Sequence, residues 1–218
     1  NYHKKCAINT AYCVPHGAIR LSTVGFTDAP LEGADLDKAK GLVRESVEQG
    51  ASAFSTGMSY FPNAWSTTEE LVELCKSANE AGAVYVTHLR DVHKERGFGG
   101  GGVEEALEIG RRSGIKVHFS HFRTNPEDVG VMTAAEKIAP VDAAKGDVDS
   151  TLELYPYPIG SSFVLMTLDS ASQEGGTEAI LKRLSNPTER QALVDSINNY
   201  SVRPLDQMVF TNLPKHPK

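Results

Sequence analysis

The chain has 218 residues, of which 40% are hydrophobic and 23% are charged. This composition is that of a globular protein and excludes a disordered or fibrous chain, and the length fits one domain or most of one. Twenty-eight acidic residues against 22 basic ones give a net charge of −6, which argues against the basic surface that a nucleic-acid-binding protein needs.

Short β-rich runs alternate with amphipathic segments over the first 155 residues. From Ser52 the runs recur at steps of 32, 31 and 33 residues as far as Val148, and this is the size of one strand–helix unit. Five strands are predicted, at Ala7–Val14, Ala51–Ser55, Ala83–Thr87, Ile115–Ser120 and Val148–Tyr155.

The segments between the strands carry apolar residues at helical spacing. Thr67 precedes Glu70 by three residues, as in a capping box, and Gly82 ends the helix that follows. Strands that alternate with helices predict an α/β fold with a parallel sheet, which is an open doubly wound sheet, a small variant barrel or part of a full barrel. Four helices are predicted around the stripes Leu36–Val47, Leu71–Ala81, Val103–Gly110 and Met132–Ala143.

The pattern weakens after Tyr155. Helices are predicted at Thr177–Ser185 and Pro187–Tyr200, and one more strand at Gln207–Thr211. Because no linker marks a boundary, we predict one catalytic-domain segment over residues 1–218.

Two successive strands are each followed by a histidine, His88 and His121. In both runs the apolar residues are two apart and in phase with the histidine, and the carboxyl ends of parallel strands meet at one edge of a sheet. Paired imidazoles there suit a catalytic zinc site, which takes three protein ligands and leaves a position for water. The alternative is that each histidine caps its strand and bonds to backbone.

The remaining histidines and cysteines are predicted to be structural. His118 has the opposite strand phase to His121 and is expected to face the helices, whereas His93 and His16 lie in a loop and a turn. Cys13 and Cys75 are predicted to fill the core. The run Gly99–Gly102 and the turn Thr56–Tyr60 match neither a phosphate-binding loop nor a nucleophile elbow.

Several segments together resemble the N-acyl-D-amino-acid deacylases (D-aminoacylases). Residues 50–62, GASAFSTGMSYFP, are similar to that family's GAxGlSTGLxYxP segment. Val14–Arg20 resembles its vGHGxxR segment, and the resemblance extends over roughly residues 8–195. Three further segments follow in the family's order: Tyr85–Arg90 (YxTHxR), Ser120–Arg123 and Tyr155–Ser162 (YPYxxGSS).

The resemblance implies a zinc-dependent hydrolase of the amidohydrolase superfamily, built on a (β/α)8 barrel. His88 and His121 would be zinc ligands at the ends of barrel strands five and six, and Tyr60 would line the substrate pocket. The substrate would be an N-acyl-D-amino acid, a small molecule with a free carboxylate.

The same resemblance implies which residues bind that carboxylate. They are Arg123, Tyr155 and Ser161. The family has a lysine at the position of Arg123, and an arginine keeps the positive charge but presents it as a planar fork.

The resemblance also implies an incomplete site, with the chain corresponding to strands three to seven of the barrel. The family's His-x-His pair and cysteine ligand fall before the matched region, and its catalytic Asp falls after it. No catalytic residue is therefore assigned, and Glu153, before the YPY segment, receives no role. Exposed sheet edges are expected to pair with a second copy of the chain.

Two other functions stay open. A cyclic-amide hydrolase of the dihydroorotase or hydantoinase kind is disfavoured because no lysine follows a predicted strand, and a non-catalytic α/β module would bind no metal. The chain has three cysteines, Cys6, Cys13 and Cys75, whose spacing matches no disulfide framework. We therefore predict that the protein is located in the reducing cytoplasm. With no apolar run of about 20 residues and no signal-peptide core, we expect no membrane partner.

Overall fold

The computed structural model describes residues 5–124, 130–157, 159–200 and 205–211. The chain divides into two compact units, Asn1–Pro158 and Ile159–Lys218. The assignment of residues 1–218 to one domain stays a prediction.

The first unit contains the predicted alternation of strands and helices. The strands are β1 (Cys13–Pro15), β2 (Ala53–Gly57), β3 (Val84–His88), β4 (Val117–Phe119) and β5 (Ser150–Leu152). The helices are α1 (His16–Thr23), α2 (Gly33–Glu48), α3 (Thr68–Glu80), α4 (Gly102–Ser113) and α5 (Ala134–Ala143). All five predicted strands and four predicted helices are present, and each strand is shorter than predicted or shifted by a few residues.

Helix α1 was not predicted, because His16 and Gly17 follow Pro15 and were interpreted as a turn. The helix is eight residues long, with no acidic residue in its first turn and no side-chain cap. Its stability comes from tertiary contacts, since Arg20 and His16 are completely buried and both bind Glu70 of α3.

The five strands form one parallel sheet in the order β1-β2-β3-β4-β5. Sequential order in a parallel sheet requires each helix to cross back over the same face, as in a barrel or one half of an open sheet. The register pairs Tyr85 with Val117 and Val86 with His118. The predicted parallel α/β fold is therefore confirmed.

One face of the sheet carries the hydrophobic core. Phe54, Tyr85 and Phe119 are at most 1% exposed and pack with apolar side chains of α3 and α4. Burying a side chain of this size stabilises the fold by about 1.5–3 kcal/mol. Cys75 lies in this core as predicted, whereas Cys13, at the start of β1, is only half-buried.

The prediction that His118 faces the helices is wrong. Its neighbours Val117 and Phe119 are the buried residues of β4, so His118 projects from the opposite face beside Val86. There its Nδ1 lies 2.8 Å from the hydroxyl of Thr151. The error came from extending the strand alternation as far as His121, which lies beyond the end of the strand.

A buried ion pair fixes the chain just after β3. Arg90 is 2% exposed; its Nε donates to Glu105 of α4 at 2.8 Å, and its Nη atoms donate to the carbonyls of Ala64 and Ser66. The glycine-rich run closes over this side chain, since a Cβ at Gly101 would lie 2.9 Å from Arg90 Cδ. The run Gly99–Gly102 therefore packs closely against the buried side chain of Arg90.

The second unit is helical where it is described. It contains α6 (Ser170–Gln173), α7 (Gly176–Ser185) and α8 (Pro187–Tyr200), which pack around Leu168, Ile180 and Leu193. The predicted strand at Gln207–Thr211 is wrong: Leu205–Gln207 form a helical turn, and Val209 is 78% exposed. Among the helices of the described residues, none is long and apolar enough to cross a bilayer.

Candidate functional site

The carboxyl ends of β1 to β4 surround an open depression of about 420 Å³ in the first unit. Parallel α/β sheets place their ligand sites at this end of the strands. The residues that contribute polar groups to its wall include His16, Tyr60, Asn63, His88, His121 and Glu153.

His88 and His121 converge in this depression. Nδ1 of His88 lies 2.9 Å from Nε2 of His121, and the two ring centroids are 4.6 Å apart. Neither ring turns away to the backbone of its own strand, so the interpretation of these residues as separate strand caps does not describe the geometry.

The two histidines reach the depression by different backbone paths. His88 is the last residue of β3 and continues the half-buried face of Val84 and Val86. His121 lies two residues past β4, whose Val117 and Phe119 face the core. A left-handed backbone at His121, with φ of 39°, turns its side chain into the depression. The prediction that His121 continues the strand alternation of Val117 and Phe119 is therefore wrong. Its ring nevertheless lies beside His88 at the edge of the sheet, as predicted.

Glu153 holds the turn at His121. Its Oε1 accepts the backbone N–H of His121 at 2.7 Å, and its own N–H donates to the carbonyl of Phe119. A non-glycine residue in the left-handed region costs about 1–2 kcal/mol, and the surrounding hydrogen bonds offset that cost. Glu153, which received no role from the sequence, is thus a backbone anchor of His121.

The pair of imidazoles fits part of a zinc site. Two nitrogen ligands at about 2.0–2.1 Å from a tetrahedral zinc are about 3.3 Å apart, so the observed 2.9 Å requires only a small shift. The pKa of His88 is lowered to about 4, mainly by burial and secondly by the neighbouring His121. This imidazole is therefore neutral at pH 7, and the neutral form is the one that binds metal. Among the described residues, no cluster of three His, Cys, Asp or Glu side chains could hold a metal.

Two residues behind His88 were missed by sequence reasoning. Nε2 of His88 lies 2.6 Å from the hydroxyl of Ser59, and that hydroxyl donates to the carboxylate of Asp91. Ser59 is 3% exposed and lies in the turn after β2, while Asp91 lies three residues past His88. The one indication in the sequence was that both residues follow neighbouring strands and so lie at the same edge.

Tyr60 lines the depression next to His88, with ring centroids 5.0 Å apart. The aromatic ring folds back over the end of β2, where a Cβ on Gly57 would come within 2.5 Å of Tyr60 Cδ2. A glycine at position 57 is therefore required for the ring to reach this position.

Arg123 and Tyr155 lie on the other side of His121. The guanidinium of Arg123 is 5.5 Å from the centroid of the Tyr155 ring, and that ring is 6.2 Å from the imidazole of His121. Nε of Arg123 is buried and has no hydrogen-bond partner among the described residues. A buried donor without a partner is costly unless an acceptor is bound, and a carboxylate is a suitable acceptor.

Ser161, the third predicted carboxylate-binding residue, belongs to the second unit. It is exposed and lies outside helices and strands. Its role stays a prediction.

Three curated proteins of Alcaligenes xylosoxydans xylosoxydans are similar to this chain. A D-aminoacylase is 30% identical over 158 residues, which are 72% of this chain and 32% of the relative. An N-acyl-D-glutamate deacylase is 32% identical over 161 residues, or 73% of this chain and 32% of the relative. An N-acyl-D-aspartate deacylase is 31% identical over 166 residues, or 76% of this chain and 32% of the relative.

The chain is a homologue of the N-acyl-D-amino-acid deacylases. It spans about a third of the length of the curated relatives that it matches. No protein-family model matches it.

Solved structures agree with this relationship and with the parallel sheet. A D-aminoacylase, described as defining a subset of amidohydrolases, matches with a TM-score of 0.61 at 30% identity, over 69% of this chain and 31% of that one. An N-acyl-D-glutamate deacylase from Bordetella bronchiseptica, complexed with zinc and a phosphonate inhibitor, matches with a TM-score of 0.60 at 29% identity, over 72% of this chain and 32% of that one. The five-stranded sheet of this homologue thus corresponds to part of an amidohydrolase fold.

Proposed function

We propose that this homologue supplies part of the active site of a zinc-dependent deacylase that acts on N-acyl-D-amino acids. The single observation that carries the proposal is the convergence of His88 and His121, with 2.9 Å between their nitrogens, in a depression that also holds Tyr60. The names of the relatives support the reaction, and the zinc complex of one of the solved structures supports the metal.

In this proposal His88 and His121 hold the zinc ion through the two nitrogens that face each other. A zinc ion bound there supplies Lewis-acid chemistry to the scissile amide and to a water molecule. Tyr60, packed on His88, forms one wall of the depression and restricts access of further water to the metal ligands.

The carboxylate of the substrate is bound by Arg123. A guanidinium donates charge-assisted hydrogen bonds to a carboxylate, and the buried Nε of Arg123 is available for one of them. The ring of Tyr155, whose centroid is 5.5 Å from the guanidinium carbon, limits the movement of the guanidinium. This pair orients the amino-acid half of the substrate relative to the imidazoles.

The experiment is an amine-release assay on the complete product of the gene and on the 218-residue chain. The complete product should hydrolyse N-acyl-D-amino acids and leave a cyclic amide intact. Because a catalytic zinc takes about three protein ligands, the 218-residue chain alone should hold zinc weakly and give no measurable turnover. Hydrolysis of the cyclic amide alone would favour a cyclic-amide hydrolase, and absence of zinc and of turnover from both proteins would favour a non-catalytic module.

The role of Arg123 has a separate test. Arg123→Ala in the complete product should lower kcat/KM for a substrate with a free carboxylate by at least about tenfold, the equivalent of one charge-assisted hydrogen bond. The same change should have little effect on the esterified substrate. Arg112→Ala, which removes an exposed arginine paired with Glu69, is the matched control, and equal losses with both substrates would contradict the role.

A further inference from the structure

The carboxylate of Asp91, the hydroxyl of Ser59 and the imidazole of His88 form a chain of hydrogen bonds behind the candidate metal centre. Ser59 lies between the other two groups, with its oxygen 2.6 Å from Nε2 of His88 and in contact with Oδ1 of Asp91. Ser59 as a whole is only 3% exposed, so bulk water competes little for its hydroxyl.

The chemistry of the three groups determines where the protons are. An ionised carboxylate only accepts hydrogen bonds, and a hydroxyl has a single proton to donate. The hydroxyl of Ser59 therefore donates to Asp91, and its lone pair accepts a hydrogen bond from His88. The carbonyl of Leu89 is a further acceptor, but at 3.5 Å from Ser59 Oγ it is too distant to compete with a carboxylate.

We infer that Asp91, through Ser59, holds His88 as the tautomer protonated on Nε2 and thereby directs the lone pair of Nδ1 toward His121. Nδ1 is the atom that faces Nε2 of His121, so the unprotonated nitrogen is the one next to the proposed metal position. Ser59 and Asp91 are positioning residues in this inference. It rests on the proposed function only in naming zinc as the ion that the lone pair receives.

The inference is consistent with how metal-binding histidines are supported elsewhere. The second ring nitrogen of such a histidine usually donates to a carboxylate, a carbonyl or water, and loss of that partner costs about 10–100-fold in metal affinity. Here a hydroxyl is inserted between the ring and the carboxylate. Both Ser59 and Asp91 are therefore needed to hold the tautomer of His88. Replacing either residue disrupts the hydrogen-bond chain that accepts the proton on Nε2.

The test is the tautomer of His88 in the metal-free chain, measured by long-range ¹H–¹⁵N correlation spectra of histidine-labelled protein at neutral pH. In the unsubstituted chain Nε2 of His88 should be protonated and Nδ1 should not. In Asp91→Asn the amide can donate to Ser59, whose hydroxyl then donates to His88, so the population protonated on Nδ1 should rise. A proton on Nδ1 in the unsubstituted chain, or an unchanged tautomer in Asp91→Asn, would overturn the inference.

Zinc affinity, measured by competition with a chromophoric chelator, is the second readout. Ser59→Ala and Asp91→Asn should each weaken zinc binding by about 10–100-fold, and Ser59→Thr, which retains the hydroxyl, should restore most of it. The control is Ser77→Ala: Ser77 is equally buried and donates to the carbonyl of Lys40 at 3.0 Å, away from the depression. Equal weakening in the control would contradict a specific role for Ser59.

The outcomes separate this inference from the proposed function. If the tautomer responds to Asp91→Asn but the complete gene product releases no amine, the proposed function fails and the hydrogen-bond chain stands. If the product is a deacylase and both variants retain the tautomer and the zinc affinity, the hydrogen-bond chain alone fails. Asp91→Asn is close to isosteric, so its effect on the tautomer of His88 tests the hydrogen-bond chain even if Ser59→Ala does not fold.

Discussion

The ends of β3 and β4 each bring a histidine to the same depression, but they do so with different structural support. His88 is the last residue of its strand and has Ser59 and Asp91 behind it. His121 is outside its strand, in a left-handed turn held by an exposed hydrogen bond from its N–H to Glu153. The first position is fixed by sheet register and burial, whereas the second depends on one backbone conformation.

The same sequence pattern thus places two side chains at one site through two different backbone paths. Both histidines follow an apolar run, and both rings arrive within hydrogen-bond distance of each other. Only His88 arrives by strand alternation. Variants that weaken each end separately should therefore have different consequences for stability and for metal binding.

Stability should depend most on the buried ion pair just after β3, where Arg90 binds Glu105 beneath the glycine-rich run. Glu105→Gln leaves the guanidinium buried without its ionic partner and should lower the free energy of unfolding by about 3–5 kcal/mol. Urea unfolding measures this change. The control is Glu69→Gln, which breaks the exposed pair with Arg112 and should lower the free energy of unfolding by less than about 1 kcal/mol. Similar decreases in the two variants would contradict the claim that burial makes the Arg90–Glu105 pair important.

A smaller effect is expected where α4 packs on β4. A Cβ on Gly110 would lie 2.7 Å from Val148 and 2.8 Å from Val117, so Gly110→Ala should destabilise the protein by about 1–3 kcal/mol through overpacking. Gly41→Ala in α2 is the control, because no atom lies within 4 Å of its added Cβ. That variant should be stabilised by about 0.5–1 kcal/mol, and the two changes should thus have opposite signs in thermal melts.

A still smaller change in stability is expected when glycine and alanine are compared at each of the two histidine positions. At His121, where φ is 39°, glycine should be more stable than alanine by about 1 kcal/mol because it adopts the left-handed region without a steric cost. At His88, the last residue of β3, alanine should be more stable than glycine by about 0.5–1 kcal/mol. The same order of stability at both positions would contradict the difference in backbone path.

The sequence predicts the parallel sheet, helices α2 to α5 of the first unit, α7 and α8 of the second unit, and the two histidines at one edge of the sheet. These features depend on local periodicity and on the common direction of parallel strands, both of which can be derived from residue spacing. The relation to the deacylases was likewise visible in its motifs, such as residues 50–62.

Other features were not predictable from spacing. The left-handed turn at His121 depends on Glu153, which approaches from the next strand end, and α1 depends on a buried contact with Glu70. The contact between Ser59 and Asp91 joins a turn after β2 to the loop after β3, and no periodicity specifies the conformation of either segment. Each of these features is a tertiary interaction between residues far apart in the sequence.

We expect His88 and His121 to act together as one metal-binding pair. The test is a zinc titration of the unsubstituted chain, His88→Ala, His121→Ala and the double variant. His118→Ala is the control, because His118 contacts Thr151 and does not line the depression. If the two rings share one ion, each single variant should lose nearly as much affinity as the double variant, and His118→Ala should lose none. Independent, additive losses, or an affinity that survives in the double variant, would contradict the account.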